Sequence, residues 1–320
     1  MANYKRARIL SVGTHVPEMV MASKEFEKFL NTSEEWILTR TGIKQRYLVP
    51  PDKDIPASEL GSVAARNALQ KASLRPEDVD GIIVATFTPD SFFPSTACRI
   101  QALLGCKKTF AFDISAACSG FVYALSIANG MILSGQCKTL LVVGTEIISK
   151  TLDWTDRTTC ILFGDGAGAV VLQGCNDKEW GILSTHLESD GSLGDILTLP
   201  AWGEKRFMSM RGNEVFKHAV RLMTEASRCV MKSSGLTIDQ IDMIIPHQAN
   251  IRIINAIAEQ LNLPQEKIIA NLDRYGNTSS ASIPLALEEV WDQGKIKDGT
   301  RVILTSLGGG ITIGSAAIRF

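Results

Sequence analysis

No two of the seven cysteines, at 98, 106, 118, 137, 160, 175 and 229, are spaced Cys-x-x-Cys, so neither a zinc site nor a dithiol redox motif is indicated. Their odd number argues against a disulfide framework and fits a reducing compartment. Charge of one sign is also missing. The net charge of -1 gives no general reason to expect nucleic acid or a membrane surface, so a polyanionic partner has to be met by a local basic patch. No apolar run approaches the about 18 residues of a membrane-spanning helix. The basic start, Met1 to Arg8, leads into a strand-like run too short for a signal-peptide core, and a cytoplasmic protein is expected. Two glycine-rich runs, Gly164 to Gly168 and Gly308 to Gly310, lack the strand, Gly-x-Gly-x-x-Gly, helix order, which excludes dinucleotide binding. No metal or cofactor is expected.

What is present is a globular composition, 45% hydrophobic and 21% charged over 320 residues, long enough for one large or two medium domains. An internal repeat organises it. Ile9-Leu10-Ser11 is echoed by Ile182-Leu183-Ser184, Leu74 to Ile83 by Leu236 to Ile245, and Leu140 to Val143 by Val302 to Leu304. Gly164 to Val171 is matched by Gly308 to Ser315, and each glycine-rich run is expected to precede a short strand. A turn after Phe112-Asp113 matches one after Leu272-Asp273, which sets Asn277 in the place of Cys118. The order implies two copies of one unit, residues 1–174 and 175–320. β-Branched runs alternate with helical patterns such as Glu59 to Ser73 and Glu214 to Ser233, which predicts α/β layers with substantially parallel sheets. A site is expected between the halves. The additions Ser23 to Pro56 and Ser189 to Gly212 are where specificity is expected to reside.

Among residues able to do chemistry, Cys118 follows an apolar run and precedes a helical pattern from Phe121 to Leu133. A cysteine is more often a buried structural residue. At a helix amino terminus, however, free amides and the helix dipole favour an anion and are expected to lower the thiol's pKa. His247 closes the apolar run Ile241 to Ile245 and opens a helix to about Leu261, whereas His15, His186 and His218 read as structural. Asn277 reads either as a turn residue after Gly276 or as a neutral hydrogen-bond donor. The glycine run Gly308 to Gly310 allows close backbone approach, and its amides are candidates to complete an oxyanion hole together with that of Cys118.

With these residues in place the chain resembles the β-ketoacyl-acyl carrier protein synthase III family of condensing enzymes over essentially its whole length. The likeness is carried by Glu35-Trp36-Ile37, Thr39 to Ile43, Phe93-Pro94-Ser95, Asp113 to Phe121, Asp156-Arg157 and Phe163 to Gly168. It continues through Gly212 to Lys217, Pro246 to Asn250, Gly276 to Ser279 and Gly308 to Phe320. The resemblance implies a thiolase-like fold, two duplicated halves packed as an αβαβα layered sandwich. It implies that Cys118 takes an acyl group from acyl-coenzyme A, with the amides of Cys118 and Gly309 as the oxyanion hole. Malonyl-acyl carrier protein then loses carbon dioxide and condenses with the acyl-cysteine, while His247 and Asn277 stabilise the enolate. Coenzyme A is a substrate, bound by Trp36, Arg40, Arg157, Asn213 and Arg252, with the adenine between Trp36 and Arg157. Phe93, Leu162 and Leu307 are assigned to the acyl pocket, Phe93 reaching across a homodimer into its partner.

The chain departs from the family pattern at Leu307, Ile311 and Ile313, where the family usually has Phe, Phe and Trp. Losing the first ring changes the surroundings of the thiol, and the three changes together would make room for a longer, branched or unusual acyl group. The helix after His247 has Glu259 and Gln260 where paired basic residues are frequent, so Lys217, Arg221 and Arg252 are expected to meet the carrier protein instead. Two alternatives accompany this reading. One is a paralogue loading an unusual starter in secondary metabolism, and the other is a catalytically silent partner subunit.

Overall fold

The computed structural model describes residues 4–204 and 206–320; the start of Met1 to Arg8 and one position of the Ser189 to Gly212 loop lie outside them. In chain order the first half runs β1 (Arg6–His15), β2 (Met19–Ala22), α1 (Glu34–Thr41), β3 (Gln45–Leu48), α2 (Ala57–Lys71), β4 (Gly81–Ala85), α3 (Thr96–Leu104), β5 (Phe110–Ile114), α4 (Gly120–Leu133), β6 (Thr139–Glu146) and β7 (Gly166–Cys175). The second runs β8 (Gly181–Ser189), β9 (Leu197–Thr198), β10 (Ser209–Met210), α5 (Gly212–Ser233), β11 (Met243–Pro246), α6 (Ile251–Gln260), α7 (Leu272–Tyr275), α8 (Ser282–Asp292), β12 (Arg301–Gly308) and β13 (Thr312–Arg319).

The strands form one five-stranded sheet, β1-β7-β6-β4-β5, and one four-stranded sheet, β11-β12-β13-β8. In the first, β6, β4 and β5 are parallel and β1 and β7 antiparallel; in the second, β11 and β12 are parallel and the rest antiparallel. Read from its β8 edge, the second sheet repeats the order of the first. Its fifth place is reduced to a bridge between Ile244 and Ile268.

Side-chain periodicity decides the layering. Helix α4 is apolar almost all round, as suits a helix covered on both sides, and buries Phe121, Leu125, Ala128 and Ile132 with Ile83 and Val142 of one sheet and Leu304 and Ala316 of the other. Helix α8 adds Ile283, Leu287 and Val290 to the same core. On the outer faces, α2 buries Leu60, Ala64 and Ala68 on the first sheet and α5 buries Leu222, Ala226 and Val230 on the second, each at helical spacing. The result is the expected αβαβα sandwich. Both glycine-rich runs differ from expectation: they feed strands of ten and eight residues, and several of their glycines lie within the strands because helix or sheet packs directly on them.

Because Leu125 is fully buried at the centre of this sandwich, Leu125→Ala should lower the free energy of urea unfolding by about 2–5 kcal/mol. Arg221→Ala on the exposed side of α5 should change it by less than about 1 kcal/mol.

Candidate active site

A cavity of about 1590 Å³ opens between the halves, and Cys118, His247 and Asn277 all line it. Cys118 sits in a 3-10 turn, Ala117–Ser119, that leads into α4. Ala117 is held at φ 46°, a conformation that residues other than glycine rarely adopt and that clusters at functional sites. The turn is pinned by Ser119 Oγ, which donates to Ala116 O at 2.7 Å and meets Thr312 Oγ1 at 2.6 Å. Gly308 lies against it so closely that a Cβ would come 2.8 Å from the Cys118 amide nitrogen and 2.7 Å from Ala116 O. Gly309 lines the cavity beside it.

The mate of this turn in the second half is Ser279–Ala281 before α8, entered by Ser279 at φ 51°. That alignment sets Ser280, not Asn277, in the place of Cys118. The sequence match slipped because the one-turn helix α7 lengthens the second connection.

Asn277 is nevertheless brought to the site by its own backbone, which bridges to the first half. Its amide donates to Leu162 O at 2.9 Å and its carbonyl accepts from Gly164 N at 3.0 Å. Its Oδ1 accepts from Ser279 N at 2.9 Å, which leaves the Nδ2 hydrogens for the cavity. His247 follows β11 and its Nδ1 lies 2.7 Å from Ser282 Oγ. Ser282 Oγ accepts from Gln248 N at 3.4 Å, and Nδ1 is the acceptor within reach of its own hydrogen, so the pair closes with Ser282 donating to Nδ1. This assigns the imidazole proton to Nε2. Both side chains thus present N–H donors.

The electrostatics differ from the expectation at Cys118. Burial pushes the thiol up to about 12; Ser279 and the residue's own amide favour the thiolate, while the charge of Glu146 opposes it. Helix-terminal amides do not offset complete burial here. Burial also drives His247 down to about 3. The free site therefore holds a neutral thiol and a neutral imidazole at pH 7.

Most other expected residues gather around the same space. Trp36, Arg40, Arg157, Asn213 and Arg252 line it, as do Leu162 and Leu307. The Trp36 ring carries Arg157 Cζ at 5.0 Å and Arg40 Cζ at 5.9 Å from its centroid. An intervening base needs roughly 7 Å, two contact distances, so the expected slot is closed and Arg157 has to leave Trp36 to open it. Its guanidinium is held on Asn31 O at 2.7 Å. Phe93 is 87% exposed and does not line its own chain's cavity, whereas Phe92 does. Ile311 and Ile313 are buried in the core beside Leu307 and do not line the cavity. Lys217 and Arg221 are exposed on α5, Arg221 paired with Glu225 at 3.1 Å, and Arg252 lies over the Phe216 ring at 5.4 Å. His15, His186 and His218 lie off the large cavity. Both sequence additions supply walls: Trp36 and Arg40 from the first, and Leu197 to Ala201, Met208 and Met210 from the second.

Three contributors escaped sequence reasoning: Ser282 behind His247, Ser279 beside Cys118, and Glu146, buried at the end of β6. The only hint was the hydroxyl run from Thr278 to Ser282.

Comparison with known proteins adds four findings. Family models described as 3-oxoacyl-[acyl-carrier-protein] synthase III and its C-terminal part match residues 112–191 and 231–320. A β-ketoacyl-[acyl-carrier-protein] synthase III of Aquifex aeolicus is 48% identical over 98% of this chain and 99% of its own. The crystal structure of the Aquifex aeolicus 3-oxoacyl-[acyl-carrier-protein] synthase III superposes with a TM-score of 0.94 at 47% identity, covering 98% of this chain and all of that one. The priming β-ketosynthase of the R1128 polyketide pathway also superposes at 0.94, with 33% identity, covering all of this chain and 98% of that one.

The neutral resting site makes a direct prediction. Alkylation of Cys118 by iodoacetamide in the free protein should keep accelerating above about pH 9. A plateau reached below about pH 7 would instead reveal a thiolate–imidazolium pair.

Proposed function

The chain belongs to the 3-oxoacyl-[acyl-carrier-protein] synthase III family of thiolase-fold condensing enzymes and is an acyltransferase, and from that premise we propose how its own residues divide the reaction. Cys118 attacks the thioester carbonyl of an acyl-coenzyme A. The sulfur–acyl bond forms, the bond to coenzyme A breaks, and the thiol proton leaves with the coenzyme. The amides of Cys118 and Gly309 hold the oxyanion. Malonyl-acyl carrier protein then loses carbon dioxide, and its enolate carbon attacks the acyl-cysteine to give 3-ketoacyl-acyl carrier protein and free Cys118.

One observation carries this reading: His247 and Asn277 are each tied back through their inner atoms, Nδ1 to Ser282 and Oδ1 to Ser279 N, on the cavity that Cys118 lines. Two neutral N–H donors suit an oxygen that becomes negative on decarboxylation. An imidazole with a pKa near 3 stays a donor throughout. Trp36, Arg40, Arg157, Asn213 and Arg252 are assigned to coenzyme A and Lys217, Arg221 and Arg252 to the acidic carrier protein. No metal or further cofactor takes part in this scheme.

We also propose a homodimer, a cytoplasmic location and a functional division at 1–174 and 175–320. The dimer is supported by β5, an edge strand of its sheet, with Phe92, Phe93, Leu103 and Phe110 exposed nearby. The location is supported by the free cysteines; among the described residues no helix is long and apolar enough to cross a membrane. The division follows the break between the two sheets.

A second reading, a priming enzyme with an unusual starter, is favoured by Leu307 and by the likeness to the R1128 ketosynthase. Incubation with a panel of acyl-coenzyme A esters, read by intact mass, distinguishes the two.

Cys118→Ala should abolish both the acyl adduct and 3-ketoacyl product. His247→Ala should leave acylation largely intact while slowing malonyl decarboxylation by about 10²–10³-fold. Equal loss of both steps would contradict the division of labour.

A further inference from the structure

Gln248 follows His247 in the chain and is buried, yet the proposed chemistry gives it no task. Its side-chain amide lies between the end of β11 and the connection from α6 to α7. Nε2 donates to Pro246 O at 2.7 Å and to Ile269 O at 3.1 Å, and Oε1 accepts from Asn271 N at 2.8 Å.

The backbone explains why an amide is needed at this place. Ile244 bridges Ile268 in parallel, with Ile269 N donating to Ile244 O at 2.9 Å. Continued by one step, such a ladder would take an N–H from position 246 to Ile269 O and an N–H from Asn271 to Pro246 O. Proline has no N–H, so the ladder stops there. Gln248 meets the three groups left over: Pro246 O and Ile269 O each receive one hydrogen of its NH2, and its oxygen accepts from Asn271 N. Both hydrogens and the carbonyl of the side-chain amide are used.

The two segments joined in this way are the ones that bring the two neutral donors to the cavity. On one side, the Gln248 backbone amide approaches Ser282 Oγ, which also holds His247 Nδ1. On the other, Asn271 immediately precedes α7, after which Gly276 leads to Asn277. Asn271 is held from α8 as well, its Nδ2 donating to Glu289 Oε2 at 3.1 Å.

We propose that Gln248 is a positioning residue that fixes the separation of His247 and Asn277, and so governs decarboxylation and condensation but not acylation of Cys118. The statement rests on the division of labour proposed above.

Gln248→Glu tests it, because the variant keeps the shape of the side chain and, when ionised, loses both hydrogens. Two steps are read. Adduct formation at Cys118 is followed by intact mass with whichever ester of the acyl-coenzyme A panel loads the parent, and release of labelled carbon dioxide from malonyl-acyl carrier protein is followed with the acylated protein. At about pH 8, Q248E should acylate within about twofold of the parent while its carbon dioxide release falls about 10–100-fold. Burial against two carbonyl oxygens raises a carboxyl above its usual range, so at about pH 6 the variant regains a donor and its release should recover severalfold relative to the parent. The titratable groups around this position are His247, neutral throughout with a pKa of about 3, and Glu289 beyond Asn271. Gln248→Met fills the same space without an N–H and should show the loss at both pH values. Combined with Asn277→Ala, Q248E should lower release by less than about threefold further, because there is no longer a separation to keep. Equal loss of both steps, no recovery of Q248E at pH 6, additive losses with Asn277→Ala, or a Q248E chain that does not fold at pH 6 would each overturn the proposal. A parent that forms no adduct at Cys118 would overturn the reading of the site and this inference with it.

Discussion

The site depends on how closely the two halves are allowed to approach. Gly308, at the end of the second half's β12, lies on the first half's nucleophile turn, where a Cβ would fall 2.8 Å from Cys118 N. Gly144, near the end of the first half's β6, lies on the second half's turn, where a Cβ would fall 2.4 Å from Ser280 O. Contacts this short exclude any side chain. Each sheet therefore receives the turn of the other half's central helix against bare backbone. That reciprocal docking gathers Cys118, His247 and Asn277, which are far apart in the chain, around one cavity.

Duplication explains why the chemistry is nonetheless one-sided. Ile83 pairs with Val142 in the first sheet and Ile245 with Leu304 in the second, so Glu146 and Gly308, each four residues further on, hold corresponding places. In one half the place is taken by a carboxyl that meets Ser280; in the other it is empty of side chain beside the Cys118 amide. Of two turns entered by a residue in the left-handed region, Ala117 and Ser279, one lines the cavity with Cys118 and the other meets Glu146 and Ala85 O through Ser280.

Much of this was legible in the sequence, because repeats and strand ends leave local signals. Helix α4 begins one residue before its predicted start, and His247 falls at the end of β11 as the apolar run implied. The pairing of Asn277 with Cys118 slipped because α7 adds residues that no periodicity marks. Ser282, Ser279 and Glu146 were missed for a common reason. A serine after a turn or a glutamate ending a strand looks solvated in one dimension, and only the packing of the other half buries it. The thiol's pKa failed in the same way, since a helix terminus can be read locally and its desolvation cannot.

That desolvation bears on how the reaction is arranged. A buried thiolate–imidazolium pair would need compensation for two desolvated charges, and the residues around Cys118 and His247 provide hydroxyls and amides rather than ions. The free site keeps neither charge. Negative charge instead develops when a substrate is bound, at oxygens for which N–H donors are already fixed by Ser282 and by the Ser279 amide. Donors fixed in this way need no reorientation during the reaction. On these grounds the restrained inner atoms of His247 and Asn277 matter as much as the outer ones: each inner hydrogen bond determines which group the cavity is offered.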